Sequence, residues 1–491
     1  MKTLLLVCAA LQFSRVALAQ TAPTTPAAPV PNAPIPSNEP PTDYPGAIWV
    51  PAAKENFGPQ NRPFDEIIDR VIVHDIEGPA ASAISIFQDP ARQVSAHYIV
   101  GRDGQIYQMV REHNVGWHAG NRDINHHSIG IETEGYAFRP GWYNPVTYEA
   151  EARLVRDITR RYGIPRDRAH IIGHAEVPNP KDPTKFGGVS GHTDPGPYWN
   201  WAAFMTLVRN DARLIQAEIP STIRPGETLP AAVSLENSGD ELWPVNTAPD
   251  TGEALQASGP LVMLGTTGGR LSPFFGSKGW ISPSLAAVAP TDTLPGAAAR
   301  FSFSLTGPRE LGNASEELRL TTVPTIAQGT IPVSFGAKVN FSVRVVPWVL
   351  DILSPNAQRS MGGEKAGFRG EITIARWETQ LPIGGIYAVY AAPPQIKKAR
   401  GAAPFRYQIG AQDGAKIVQA RPEDGGRGWL FAGYFRFPDP LKNAPSVAVE
   451  LKSAPRGVGE KEAGAVRFIG PFPSASSTPP DWSQIPGASS H

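Results

Sequence analysis

Val71-Ile72-Val73-His74 and Ile171-Ile172-Gly173-His174 are two short apolar runs, each ending on a histidine. Runs of this length fit strands and are too short for helices. A third run, Ser128-Ile129-Gly130-Ile131-Glu132-Thr133-Glu134, ends on carboxylates. Around these, Ala96–Val100 and Gln105–Val110 also read as strands. Asn144-Pro145 predicts an N-cap followed by proline at the first helical position. Tyr148, Ala152, Val155 and Tyr162 then recur at helical spacing up to Gly163 and Pro165. Residues 46–212 therefore predict an α/β domain, with a mixed sheet flanked by helices.

The histidines gather in this domain. The chain has 10, and only His491 lies outside residues 74–192. Histidine serves as a metal ligand, a proton carrier or a structural group. A histidine at a strand's end is held by the sheet and points out of its edge, and His74 and His174 both sit so. Asp194, in Thr193-Asp194-Pro195-Gly196, lies on a tight loop that can fold over that edge. Two imidazoles and a carboxylate form an open zinc set with a fourth position left free. Such a site also needs a base. Strand alternation puts Glu132 and Glu134 on one face, so spacing alone does not choose between them. Among apolar neighbours either carboxylate has a raised pKa, suited to moving a proton near neutrality.

The totals bound the rest. The 491 residues suggest about three domains. Lys+Arg and Asp+Glu are equal at 45, which argues against nucleic acid or an anionic membrane surface as partner. Residues 1–19 read as a secretory signal peptide: Lys2, the apolar Leu4–Leu11, then Ala17-Leu18-Ala19 as the cleavage site. Removing them takes away the single cysteine, Cys8, and leaves no transmembrane segment. Residues 20–45, rich in Pro, Ala and Thr, read as a linker. Residues 219–347 alternate as strands and predict an immunoglobulin-like β-sandwich. Residues 350–472 predict a second sandwich, and 473–491 a Pro/Ser-rich disordered tail.

Taken together, these pieces resemble the zinc-dependent N-acetylmuramoyl-L-alanine amidases of the type 2 family, relatives of the peptidoglycan recognition proteins. The matching pieces are Val71–His74, Val94-Ser95-Ala96-His97-Tyr98, Arg102-Asp103-Gly104-Gln105-Ile106, Trp117-His118-Ala119-Gly120, Ser128–Glu132, Ile172-Gly173-His174 and Thr193–Gly196, in the family's order. The resemblance implies Zn2+ on His74, His174 and Asp194. It implies Glu132, not Glu134, as the catalytic carboxylate, and cleavage of the amide between N-acetylmuramic acid and L-alanine. This chain has Ala96 where some members carry tyrosine, and His192 where many carry lysine. His192 then takes the oxyanion-stabilising role, and a neighbouring Zn2+ predicts a depressed pKa and a neutral N–H donor there. Trp117, His118 and Asn125 are candidates for substrate contact, although Trp117 and His118 fit a structural turn nearly as well. His97 reads as a packed strand residue.

The block 350–472 resembles golvesin/xanthan-lyase-type carbohydrate-binding-like domains. The resemblance rests on Trp377, Gly384-Gly385-Ile386-Tyr387-Ala388-Val389-Tyr390, Gly428-Trp429-Leu430 and Gly464–Phe468. It implies a second cell-wall polysaccharide as partner. The reading is a secreted, periplasmic or wall-associated amidase acting on peptidoglycan. Its rivals are a non-catalytic peptidoglycan-binding or adhesion protein and an amidase acting on soluble anhydro-muropeptides.

Overall fold

The computed structural model describes residues 42–245, 261–276, 278–323, 332–353, 375–392, 405–412, 414–420, 428–440, 447–453, 464–481 and 485. The expected signal peptide, most of the 20–45 linker and much of the 473–491 tail lie outside the described residues.

The first unit is built on a six-stranded sheet. Its strands are β1 (Ala47–Trp49), β2 (Arg70–Asp75), β3 (Tyr98–Val100), β4 (Ile106–Gln108), β5 (Ser128–Thr133) and β6 (Ile171–Gly173), in the order β1-β4-β3-β5-β2-β6. Only β3 and β4 pair antiparallel; the other neighbours are parallel. Four helices complete it: α1 (Ala80–Gln88), α2 (Arg122–His127), α3 (Pro145–Tyr162) and α4 (Trp201–Arg209).

Alternation along β2 and β5 divides the sheet into two faces. Val71, Val73, Ile129 and Ile131 join the core with Leu154, Val155 and Ile158 of α3. Ile72 packs on the opposite face with Ala119, Ile124 and Ile172. There α1 adds Ala83, Ile84 and Phe87 against Ile99. Helix α3 starts where the sequence predicts. Asn144 Oδ1 accepts from the amides of Val146 and Thr147 at 2.8 and 3.1 Å, and Gly163 ends the helix at φ 68°. A left-handed residue costs least as glycine, and it closes the last turn.

The strand Ala212–Glu218 follows α4 directly, earlier than the change of texture at Ile219. It was hidden in the sequence because every residue after Ala212 in it is solvent-exposed, so it shows no alternation. It pairs with Thr228–Asn237, which pairs with Ala298–Thr306. A five-stranded sheet faces this one, in the order Thr222–Ile223, Val333–Val345, Gly312–Val323, Leu261–Thr266, Leu285–Val288. Trp243, fully buried, bridges the two: its ring centroid is 6.3 Å from Phe301 and 6.2 Å from Phe335.

This sandwich stands on the back of the first unit, and one contiguous core runs through both. Arg319 Nη1 donates to Glu149 Oε1 of α3 at 2.6 Å, and Arg319 Nε donates to the Gly336 carbonyl at 3.0 Å. The described residues within 348–472 form two further four-stranded sheets with a separate core. Trp377, Tyr387 and Tyr390 are buried there, so these residues fill the fold and offer no surface for a sugar.

Because the first unit and the middle sandwich share a core, they should unfold together. Arg319→Ala, which removes the Arg319–Glu149 pair and the Arg319 hydrogen bond to Gly336 at their interface, should cost about 2 kcal/mol, the scale of a hydrogen bond to a charged group. Denaturation followed by circular dichroism and tryptophan fluorescence checks both points. Two well-separated transitions for these units would contradict the shared core.

Candidate active site

In a parallel sheet the carboxyl ends of the strands share one edge, where α/β proteins place their ligands. Strands β2, β5 and β6 deliver three side chains to that edge. His74 is in register with Glu132, and Val73 with Gly173, which puts His174 just beyond β6. The loop carrying Asp194 folds over the same edge. The Ala175 amide donates to the Asp194 carbonyl at 2.9 Å, and the Asp75 amide to Asp194 Oδ2 at 3.3 Å.

The result is a tight triad. His74 Nδ1 and His174 Nδ1 are 3.0 Å apart. Asp194 Oδ2 lies 3.3 Å from His74 Nδ1, and Oδ1 lies 3.4 Å from His174 Nδ1. All three residues are buried, and their donor atoms could together hold a metal ion. Burial, followed by the neighbouring His174, lowers the His74 pKa to about 4, so its imidazole is neutral at physiological pH. Burial pushes Asp194 upward, but the imidazoles of His174, His192 and His74 packed around it overcome this and hold the carboxyl far below its ordinary value. A neutral imidazole and an ionised carboxylate are the forms that bind metals.

Glu132, His118, His192 and Trp117 line the same cleft, whose volume is about 250 Å³. Burial raises the Glu132 pKa well above the usual carboxylate range, and Asp194 adds to this. Glu134 turns away, and its Oε2 accepts from the Arg102 amide at 3.0 Å. The His192 ring stacks on His174 at 4.3 Å, with its Nδ1 3.5 Å from Asp194 Oδ1. With no metal ion at the site, that carboxylate raises the His192 pKa.

Trp117 also lines an adjoining groove of about 540 Å³ together with Asn125. Asn125 itself is buried, and its Oδ1 accepts from the amides of His118 and Ala119 at 3.2 and 2.8 Å. Its carbonyl oxygen is therefore committed to shaping the Trp117–Gly120 segment. His118 reaches further than the sequence suggested, with Nδ1 3.0 Å from His74 Nε2. Gly130 makes this contact feasible: a Cβ there would lie 2.5 Å from His118 Cγ.

Two structural residues escaped the sequence reading. Arg62 is fully buried and donates to the carbonyls of Asn125, His126 and Ser128 at 3.2, 2.8 and 3.0 Å. It also meets His97 Nε2 at 2.9 Å, while His97 Nδ1 accepts from the Gly130 amide at 3.0 Å. His97 is thus a packed residue that ties β5 to its neighbours. Glu151 of α3 is the second, fully buried behind β5, where Thr133 Oγ1 donates to it at 2.6 Å.

With this geometry in place, the comparisons with known proteins identify the class. Residues 63–197 match the family described as N-acetylmuramoyl-L-alanine amidase. The chain is 36% identical over 176 residues to N-acetylmuramoyl-L-alanine amidase A of Achromobacter lyticus, spanning 34% of this chain and 95% of that protein. It is 31% identical over 175 residues to the 1,6-anhydro-N-acetylmuramyl-L-alanine amidase AmpD of Escherichia coli (strain K12), spanning 30% and 87%. A crystal structure of an AmpD derivative aligns at 28% identity over 33% of this chain and 94% of that one, with a TM-score of 0.27. The chain belongs to the N-acetylmuramoyl-L-alanine amidase family and is an amide hydrolase of that class.

Burial moves the Glu151 pKa up to about 8, above the 4.5 of an ordinary glutamate. The folded state therefore binds this proton more tightly than the unfolded chain. Its contribution to stability is full below about pH 4 and is lost as the pH rises through about 8. Glu151→Gln keeps an acceptor for Thr133 and removes the titration. The variant should gain stability relative to the wild type from pH 5 to pH 8, as measured by urea denaturation. A pH-independent difference would rule out a buried, protonated Glu151.

Proposed function

We propose that this protein is a secreted, zinc-dependent hydrolase that cleaves the amide between N-acetylmuramic acid and L-alanine in cell-wall peptidoglycan. The observation that carries this reading is the His74–His174–Asp194 triad beside a desolvated Glu132. A tetrahedral zinc with bonds of about 2.0–2.2 Å sets its ligand atoms about 3.3–3.6 Å apart. The two imidazole nitrogens stand 3.0 Å apart, and they lie 3.3 and 3.4 Å from the two different oxygens of Asp194, close to that spacing. Two nitrogens and one carboxylate also match the ligand preference of an open catalytic zinc site.

A zinc ion held there supplies Lewis-acid polarisation of the scissile carbonyl and acidifies water. The remaining work falls to the chain's own residues. Glu132, with its raised pKa, takes a proton from the attacking water and returns it to the departing alanine nitrogen. His192, with Nδ1 3.5 Å from Asp194 Oδ1, donates from Nε2–H to the oxygen on which negative charge develops. Trp117 stands where the cleft meets the adjoining groove, a place for the substrate on either side of the scissile bond.

The wall polymer is favoured over soluble anhydro-muropeptides by the expected signal peptide and by the sandwiches behind the site. The AmpD relatives supply the reason to keep the soluble substrate as a second reading. Among the described residues no helix is long and apolar enough to cross a membrane.

Glu132→Gln should retain zinc yet lose activity by at least ~100-fold, the scale of a positioned acid–base group. Glu134→Gln should stay within a few-fold of wild type. Mass spectrometry of digested sacculi reads the product: free L-alanine amino termini on released peptides with intact glycan strands. New reducing sugar ends, or a larger loss in Glu134→Gln, would contradict the assignment. Activity on anhydro-muropeptides alone would favour the second reading.

A further inference from the structure

We propose that His118 is a positioning residue for the metal site, fixing the tautomer of His74 so that its Nδ1 lone pair faces His174 and Asp194. The inference rests on the zinc reading above and assigns a role to a residue that reading does not use.

Ser128 Oγ donates its one hydrogen to the Ile124 carbonyl at 2.6 Å. At 3.3 Å from His118 Nε2 it can then only accept, so Nε2 carries the hydrogen. A neutral imidazole has one N–H, which leaves His118 Nδ1 bare. His118 Nδ1 lies 3.0 Å from His74 Nε2, so His74 must carry its hydrogen on Nε2. His74 Nδ1 is then the bare nitrogen, and it is the atom 3.0 Å from His174 Nδ1 and 3.3 Å from Asp194. Second-contact partners of this kind orient a ligand histidine and raise its basicity.

The surroundings are built to hold His118 in this place. Asn125 Oδ1 clamps its backbone amide at 3.2 Å. Gly130 leaves the space its ring occupies. The rings of His74 and His118 meet edge to face, 5.1 Å between centroids. His174 has no such support: its Nε2 is buried without a hydrogen-bond partner among the described residues. The site's histidines are therefore unequal, and His74 is the one whose orientation the fold specifies.

The test begins with metal-free wild-type protein. Long-range 15N–1H NMR should show His74 as the Nε2–H tautomer. Zinc affinity is then measured against a competing chelator for wild type, His118→Leu and His118→Asn. Leucine removes the acceptor, and zinc binding should weaken about 10–100-fold. Asparagine restores an acceptor oxygen near the Nδ1 position and should stay within about 3-fold of wild type. An Nδ1–H tautomer of His74 would overturn the proposal, as would wild-type zinc affinity in folded His118→Leu. Failure of the wild type to bind zinc would instead overturn the zinc reading itself. The tautomer measurement stands even if a variant does not fold.

Discussion

Two imidazole nitrogens held 3.0 Å apart beside a carboxylate are the feature on which this site depends. Placing such groups together, buried, costs free energy unless a cation completes them or hydrogen bonds satisfy them. The sheet absorbs that cost. Parallel pairing of β2 with β5 and β6 brings His74, Glu132 and His174 to one edge without a long loop, and backbone amides of Asp75 and Ala175 pin the Asp194 segment over it. Three separate stretches of sequence thus converge through ladder hydrogen bonds that the fold makes in any case.

Around the triad the environment separates the roles of the ionisable groups. The three imidazoles around it keep Asp194 ionised, while burial pushes Glu132 the other way. Two carboxylates at one edge therefore take opposite tasks, one binding charge and one carrying a proton. Arg62 fastens α2 and the start of β5 by their carbonyls, so that the Trp117–Gly120 segment keeps its shape. The middle sandwich adds a rigid back through the shared core and the Arg319–Glu149 pair.

Much of this was legible in the sequence for a physical reason. Strands β2, β5 and β6 are buried and bounded by the residues that do chemistry, so apolar runs and their polar ends coincide. Helix α3 announced itself through Asn144, Pro145 and Gly163. Other parts carried no such signal. Helix α1 starts after Pro79 with no side-chain cap, and α2 has only six residues, too few to show a period. Only Tyr98–Val100 of the expected Ala96–Val100 strand forms, because the Gly130 amide donates to the His97 ring and not to the Ala96–His97 backbone. Arg62 is a single arginine between Asn61 and Pro63, and its burial depends on carbonyls more than fifty residues away. The contact of His118 with His74 is likewise a product of the fold, since it depends on Gly130 leaving room for a ring from another segment.

The central claim is that His74, His174 and Asp194 hold one zinc ion at the sheet edge beside Glu132. Anomalous diffraction at the zinc edge from crystals of the zinc-loaded protein tests it most directly. The account predicts a single strong peak within about 2.0–2.2 Å of His74 Nδ1, His174 Nδ1 and an Asp194 carboxylate oxygen. A peak on other residues, or none at this edge in protein shown to contain zinc, would contradict it.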